Sequence, residues 1–129
     1  EAEWEYAARA FGMEHWSGSN VPKNVSWSDQ QESKPVGLLE PNRWGLSGMT
    51  GNIAEICWDA YDETTYLKRL EQGNISKNPA VRDTNRSLFR GGCWGSTAFS
   101  NTVFDRGATE QTIFTKDKYT GIRLVRNVY

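Results

Sequence analysis

The sequence predicts an α+β domain with a large share of irregular loop. Residues 1–12, "EAEWEYAARAFG", are typical of a helix, because apolar residues recur at the spacing of one helix face and Gly12 follows as a stop signal. Residues 13–49 carry a dense series of Gly and Pro, which predicts a long segment that is ordered but irregular. Six Trp, five Tyr, five Phe and twelve Gly in 129 residues indicate that aromatic clusters hold these loops in place.

Three further segments are typical of strands and one of a short helix. The strands are predicted over 51–61 ("GNIAEICWDAY"), 87–94 ("SLFRGGCW") and 121–127 ("GIRLVRN"), where apolar and β-branched residues concentrate. The Gly pair within 87–94 allows a bulge or a close backbone approach. Residues 64–73 carry a weak helical pattern that ends at a Gly. The length fits a single domain over residues 1–129 with a modest core.

Composition and charge exclude several kinds of function. The net charge of −1 and the pI of about 5.9 give no basic excess, so nucleic-acid binding is not predicted. The sequence contains no run of 18 apolar residues, so we expect no membrane span. Two cysteines and one histidine are too few for a disulfide framework or a zinc site. Cys57 and Cys93 leave two states open, a disulfide or a pair of buried free thiols.

Several motifs in register connect the sequence to a known family. The segments "EAEWEYAARA", "EPNRWGLSGMTGNIAEICWDAY", "FRGGCW" and "GIRLVR" occur in this order between Glu1 and Asn127. The sequence therefore resembles the sulfatase-modifying-factor family, the formylglycine-generating-enzyme-like domains. The resemblance implies a C-type-lectin-like fold with few short strands, two helices and much irregular loop. It also implies that the N-terminal part of the family's domain is missing here.

The resemblance argues against catalysis. The oxygen-activating members of the family use copper and two cysteines that follow the Arg-Gly-Gly strand, and these positions align with Ser96 and Asn101. A hydroxyl and an amide do not supply the thiolate ligands that soft Cu(I) requires. Cys93 comes three residues earlier, and a continuing strand would turn it to the face opposite Ser96. We therefore expect no catalytic residue and no copper.

The resemblance also implies a candidate calcium site. Gly51 and Ile53 would offer backbone carbonyls and Glu55 a carboxylate, and such oxygen ligands suit calcium. Gly48 occupies the position of a family Asp or Asn ligand, so any Ca²⁺ site would be weak. The alternative is that Asn52 and Glu55 hydrogen-bond the irregular loops directly.

Residues 95–109, "GSTAFSNTVFDRGAT", form a candidate variable binding surface. They contain no Trp, Gln, Glu, Met or Lys, although these five types make up 28 of the 129 residues. Some proteins that resemble this family are the variable proteins of diversity-generating retroelements, in which adenine-directed mutagenesis rewrites asparagine-type codons. Those rewritten codons never produce the five missing residue types. The flanking residues, Trp94 and Glu110, both belong to the excluded set.

The ligand contacts on this surface would come from aromatic anchors and adaptable polar side chains. Phe99 and Phe104 are the candidate anchors, and the alternative for each is a place in the core. Their spacing of five puts them on opposite faces of an extended segment, so at most one should point outward. The predicted ligand-binding residues are Ser96, Thr97, Phe99, Ser100, Asn101, Thr102, Phe104 and Asp105.

These observations predict a non-catalytic domain that binds a protein or another macromolecular ligand through residues 95–109. The resemblance implies that the protein is a retroelement-diversified receptor-binding or display protein of a prokaryote or its virus. That interpretation places its ligand on a cell or virion surface. The alternative is a formylglycine-generating-enzyme-like oxidoreductase, or a degenerate member of the sulfatase-modifying-factor family. A nearby reverse transcriptase and a template repeat would distinguish the two.

Overall fold

The computed structural model describes residues 1–71, 73, 85–109 and 117–126. Within these ranges short helices and strands alternate with long irregular segments. Within the same ranges, a single 3₁₀ turn spans Ala98–Ser100. In chain order the other elements are α1 (Ala2–Arg9), α2 (Pro22–Val25), β1 (Ser26–Trp27), β2 (Thr50–Gly51), β3 (Ala54–Ala60), α3 (Thr65–Glu71), β4 (Ser87–Arg90), β5 (Arg106–Thr109) and β6 (Thr120–Gly121).

Four of the strands form one mixed sheet in the order β5-β4-β3-β6. Strand β4 runs antiparallel to both β3 and β5, whereas β6 runs parallel to β3. Strands β1 and β2 form a separate parallel pair, with Ser26 opposite Thr50. Strand β5 was not predicted, although it pairs with β4 over its whole length.

The strand predicted over 121–127 is largely wrong. Only Thr120 and Gly121 pair with β3, and residues 122–126 have no regular structure. The chain leaves the sheet where the Arg123 side chain turns to bind Glu55 and the Ser47 carbonyl. Residue 127 lies outside the described residues.

Helix α1 supplies most of one wall of the core. It ends at Arg9 because Ala10 takes the left-handed conformation, with φ of 45°, and its N–H donates to the Tyr6 carbonyl. The predicted stop at Gly12 is therefore two residues late. Trp4 and Ala8 pack with Met49 and Val103 in a small apolar cluster.

A buried arginine joins α1, the sheet and the chain that follows β4. The Arg90 side chain is 0% exposed and forms ion pairs with Glu1 and Glu5 of the α1 region. Its Nη2 also donates to the Val103 carbonyl at 2.6 Å. Because both carboxylates and a carbonyl surround it, the charge is compensated in the interior. Arg90 thereby fixes residues 91–105 against the first helix.

Candidate binding surface

Residues 91–105, here called the 91–105 loop, begin where two glycines end strand β4. Gly91 and Gly92 have φ of 86° and 66°, a region that side-chain-bearing residues rarely adopt. A Cβ on Gly91 would lie 2.8 Å from the Met49 carbonyl oxygen. The predicted strand over 87–94 therefore ends at Arg90, and the chain turns away from the sheet.

This turn brings Cys93 and Ser96 to the same side of the loop. The Cys93 Sγ and Ser96 Oγ atoms are 3.2 Å apart. The prediction that the two side chains face opposite ways is wrong, because it assumed that the strand continued past Arg90.

Backbone hydrogen bonds hold the start of the loop to distant segments. Trp94 N donates to the Asn52 carbonyl at 2.7 Å, and the Trp94 carbonyl accepts from Gln30 N at 2.7 Å. The Ser96 carbonyl accepts from Asp29 N at 2.9 Å. The indole of Trp94 stacks on Tyr119 with ring centroids 4.9 Å apart.

Two of the predicted ligand contacts lie beneath the surface. Asn101 is 0% exposed, and its Nδ2 donates to Ser28 Oγ at 3.0 Å and to the Cys93 carbonyl at 3.1 Å. Thr102 is also buried, and its N–H and hydroxyl both donate to the Asp105 carboxylate, at 2.9 and 2.6 Å. The structure thus buries Asn101 and Thr102, whose side chains support the loop from within.

Both phenylalanines of the loop point outward, with Phe99 82% and Phe104 48% exposed. The expectation that at most one would do so is wrong, because residues 98–104 form a 3₁₀ turn and a second turn instead of an extended strand. The Trp16 indole donates to the Ala98 carbonyl at 2.8 Å, and Val103 N donates to the His15 carbonyl at 2.9 Å.

His15 extends the aromatic surface of the loop, and the buried Trp16 packs beneath it. The Trp16 ring lies 6.3 Å from Phe99, and the His15 ring lies 5.7 Å from Phe104, between ring centroids. His15 itself is exposed. Sequence reasoning did not place either residue at this surface, since more than 80 positions separate each one from the phenylalanine that it contacts.

Four of the remaining predicted contacts line an open cavity of about 350 Å³. Thr97 and Ser100 are exposed beside it, with hydroxyl oxygens 3.2 Å apart. Phe104 lies on the other side of Arg106, against a second cavity. The side chains that line the 350 Å³ cavity include Cys93, Ser96, Phe99, Ser100, Asp105 and Arg106.

The thiols of this chain do not fit the family's copper chemistry. Cys57 and Cys93 are both free, so they do not form a disulfide. Burial raises the pKa of the Cys57 thiol to about 11. The 350 Å³ cavity is therefore lined by one thiol, that of Cys93, with the Ser96 hydroxyl beside it. The buried Asn101 amide donates to the Cys93 carbonyl.

The one side chain among the candidate calcium ligands, the Glu55 carboxylate, is occupied by protein donors. Arg123 contacts Glu55 Oε1 through its Nη2 at 2.6 Å, and the Trp4 indole donates to Glu55 Oε2 at 2.7 Å. Gly51 is part of the β1–β2 pair, and its N–H donates to the Gly91 carbonyl at 2.7 Å. The Glu55 carboxylate is thus neutralised by a guanidinium, which leaves the set of Gly51, Ile53 and Glu55 without a free anionic ligand for Ca²⁺.

Asn52 also has a structural partner. Its side chain accepts from Lys34 N at 2.8 Å and donates to the Lys34 carbonyl at 3.0 Å. In the described part of the chain, no group of three or more His, Cys, Asp or Glu residues is placed to hold a metal ion. The geometry therefore favours the alternative in which Asn52 and Glu55 hydrogen-bond the irregular segments directly.

We expect removal of calcium to leave stability unchanged. A ligand that binds only the native state raises the melting temperature, so a calcium site would make the protein chelator-sensitive. Thermal unfolding in excess EDTA and in excess CaCl₂ should give the same Tm. A Tm that rises with CaCl₂ and falls with EDTA would contradict this assignment of Glu55 to Arg123.

Comparison with known proteins identifies the family. The model of the sulfatase-modifying factor enzyme 1-like domain matches residues 1–128. The chain belongs to this family. The expected fold of the family, C-type-lectin-like with short strands and much loop, is confirmed by solved structures.

Two solved structures and one curated protein illustrate the relationship. Treponema denticola variable protein 1 has a TM-score of 0.75 at 26% identity, covering 94% of this chain and 44% of that one. PvdO from Pseudomonas aeruginosa has a TM-score of 0.72 at 18% identity, covering 94% and 48%, and shows the fold alone. Chaperone protein LppX of Paenibacillus barcinonensis is 25% identical over 149 residues, covering 98% of this chain. The chain spans less than half the length of these three proteins.

Proposed function

We propose that this member of the sulfatase-modifying factor family is a binding domain without catalytic activity. Its ligand would be a protein or another macromolecule, held by exposed side chains of the 91–105 loop. The observation that carries the proposal is the pair of outward-facing rings, Phe99 and Phe104, on a loop whose backbone is fixed by buried residues. Rigid aromatic side chains give a large contact area at low cost in conformational entropy.

The chemistry of the loop supports binding over oxidation. The positions that align with the family's two catalytic cysteines hold Ser96 and Asn101, and the Asn101 amide is used to support the loop. A hydroxyl and a buried amide do not replace two thiolates as Cu(I) ligands. Aerobic turnover of a cysteine-containing sulfatase-type peptide in the presence of copper would overturn this part of the proposal.

The likeness to a variable protein supports a more specific role. A retroelement-diversified binding protein needs a surface where side chains change while the backbone keeps its shape. The 91–105 loop meets this need, because Thr97, Phe99, Ser100 and Phe104 are exposed. Exposed substitutions usually alter the free energy of unfolding by less than about 0.5 kcal/mol. The ligand would then lie on a cell or virion surface.

Sequencing the genomic locus tests this role. We expect a second copy of the codons for residues 88–126, differing from this gene only at adenines, beside a reverse-transcriptase gene. The differences should fall at the exposed positions 97, 99, 100 and 104, and should spare Trp94, whose type the mutagenesis never produces. A locus without such a copy, or with differences concentrated at buried positions, would overturn the retroelement assignment.

A further inference from the structure

A second cavity, of about 550 Å³, adjoins the 91–105 loop and involves residues that the sequence did not mark. It opens between α1 and α3 and is bordered by Phe104 of the loop. Arg106 lines this cavity and also the 350 Å³ cavity beside Ser96. Phe104 and Arg106 thus place the larger cavity, which we call the α1 cavity, next to the 91–105 loop.

The α1 cavity carries one surplus positive charge. The charged side chains that line it are Glu5, Arg9 and Arg106. Behind them, Glu1 and the buried Arg90 cancel each other. All three side-chain nitrogens of Arg106 already have partners in the protein. Its Nε and Nη2 bind Glu1, and its Nη1 donates to the Asp62 carbonyl.

Arg9 is the side chain at which this surplus positive charge is accessible to a ligand. Its side chain is 33% exposed, and its Nε and Nη2 both contact Glu5 Oε1 at 2.8 Å. Nη1 has no partner among the residues that the structure describes. Because Glu5 is also paired with the buried Arg90, it neutralises Arg9 only in part. A guanidinium with a free edge suits a carboxylate.

The walls of the α1 cavity are aromatic and supply hydroxyl donors. The ring of Tyr66 lies 5.0 Å from the Arg106 guanidinium carbon, and Tyr6 and Phe104 border the same space. Neither the Tyr6 nor the Tyr66 hydroxyl forms a hydrogen bond within the described part of the chain. Burial raises the pKa of Tyr66, so its hydroxyl remains protonated and can donate.

We propose that the α1 cavity binds an acidic side chain, Asp or Glu, together with the apolar residue beside it, from the macromolecule that the 91–105 loop holds. The carboxylate would contact Arg9 and the tyrosine hydroxyls, and the apolar neighbour would pack on Phe104. This inference rests on the proposed binding function and adds the chemistry of the partner.

A pair of matched dipeptides tests the inference. Isotope-labelled protein is titrated with acetyl-Phe-Glu-amide or with acetyl-Phe-Gln-amide, while NMR follows the Arg9 Nε–H and the backbone amide of Tyr66. We expect the Glu peptide to shift these signals and to bind about threefold more tightly than the Gln peptide, as for a partly exposed ion pair. Equal affinities, or no shift at either residue, would overturn the inference.

Two variants separate a local contact from a general effect of charge. Arg9→Gln should abolish the preference for the Glu peptide, because it removes the surplus cation. Arg43→Gln is the control, since Arg43 is an exposed arginine that pairs with Glu14 and does not line the cavity. It should keep the preference. An Arg9→Gln protein that still distinguishes the peptides, or an Arg43→Gln protein that no longer does, contradicts the assignment.

The outcomes distinguish this inference from the proposed function. If the locus contains a template repeat but the protein shows no preference between the two peptides, only the acidic subsite is overturned. If the locus lacks the repeat but the protein prefers the Glu peptide, the retroelement role is overturned and the acidic subsite is retained.

Discussion

Replacing Arg90 by Met should lower the free energy of unfolding by about 3–5 kcal/mol, the cost typical of breaking a buried ion pair. The substitution keeps much of the side-chain volume but removes one guanidinium partner from each of Glu1 and Glu5. It also removes the donor to the Val103 carbonyl and the cation that lies 5.0 Å from the Trp4 ring. Glu1 retains Arg106 and Glu5 retains Arg9, so the buried Val103 carbonyl loses most.

Urea denaturation followed by tryptophan fluorescence measures this effect. The matched control is Arg43→Met, which removes an exposed arginine from its pair with Glu14 and should cost at most about 1 kcal/mol. If the two variants unfold at similar urea concentrations, Arg90 does not hold the loop to α1. If Arg90→Met fails to fold in the absence of urea, Arg90→Lys, which keeps the charge, should recover part of the stability.

Substituting Gly92 by Ala should destabilise the protein by about 3 kcal/mol, through left-handed backbone strain and overpacking. The φ of Gly92 is 66°, a conformation that alanine adopts at a cost. The added Cβ would overlap the Asn101 side chain, lying 2.6 Å from its Cγ and 2.9 Å from the Ser100 carbonyl oxygen. Because Asn101 is fully buried, it has little room to move.

Gly95→Ala provides the control within the same loop. A Cβ on Gly95 would meet only Tyr119 Cε1, at 3.5 Å, which is an ordinary van der Waals contact. We expect this change to alter stability by less than about 0.5 kcal/mol. Thermal melts of the two variants should therefore differ clearly. Equal melting temperatures would mean that the buried Asn101 side chain does not pack tightly against the turn at Gly92.

The regular elements were predictable because their signals are local. The apolar spacing of residues 1–12 identified α1, and the apolar segments 51–61 and 87–94 contain β3 and β4. Their ends were less accurate, since Ala10 stops α1 by adopting a left-handed conformation that alanine seldom takes. Strand β5 was missed because its pairing with β4 depends on tertiary structure.

The position of the candidate site stays a prediction from composition, and the burial of its side chains could not be predicted from the sequence. The unusual composition of 95–109 pointed to the loop, but it does not tell which side chains are buried. Asn101 is buried through a contact with Ser28, 73 positions away. Arg123 lies 68 positions after Glu55, so no local pattern in the sequence indicates that the Glu55 carboxylate pairs with this guanidinium. Such assignments depend on the three-dimensional fold.

The attachments of the 91–105 loop have a consequence for protein engineering. Trp94, Ser96 and Val103 are tied to the rest of the molecule through main-chain atoms. Those bonds do not use the side chains at positions 97, 99, 100 and 104, so the path of the chain is largely separate from the identity of its outward side chains. Positions 97, 99, 100 and 104 can therefore be randomised in a combinatorial library, from which binders to a chosen target are selected on an unchanged framework.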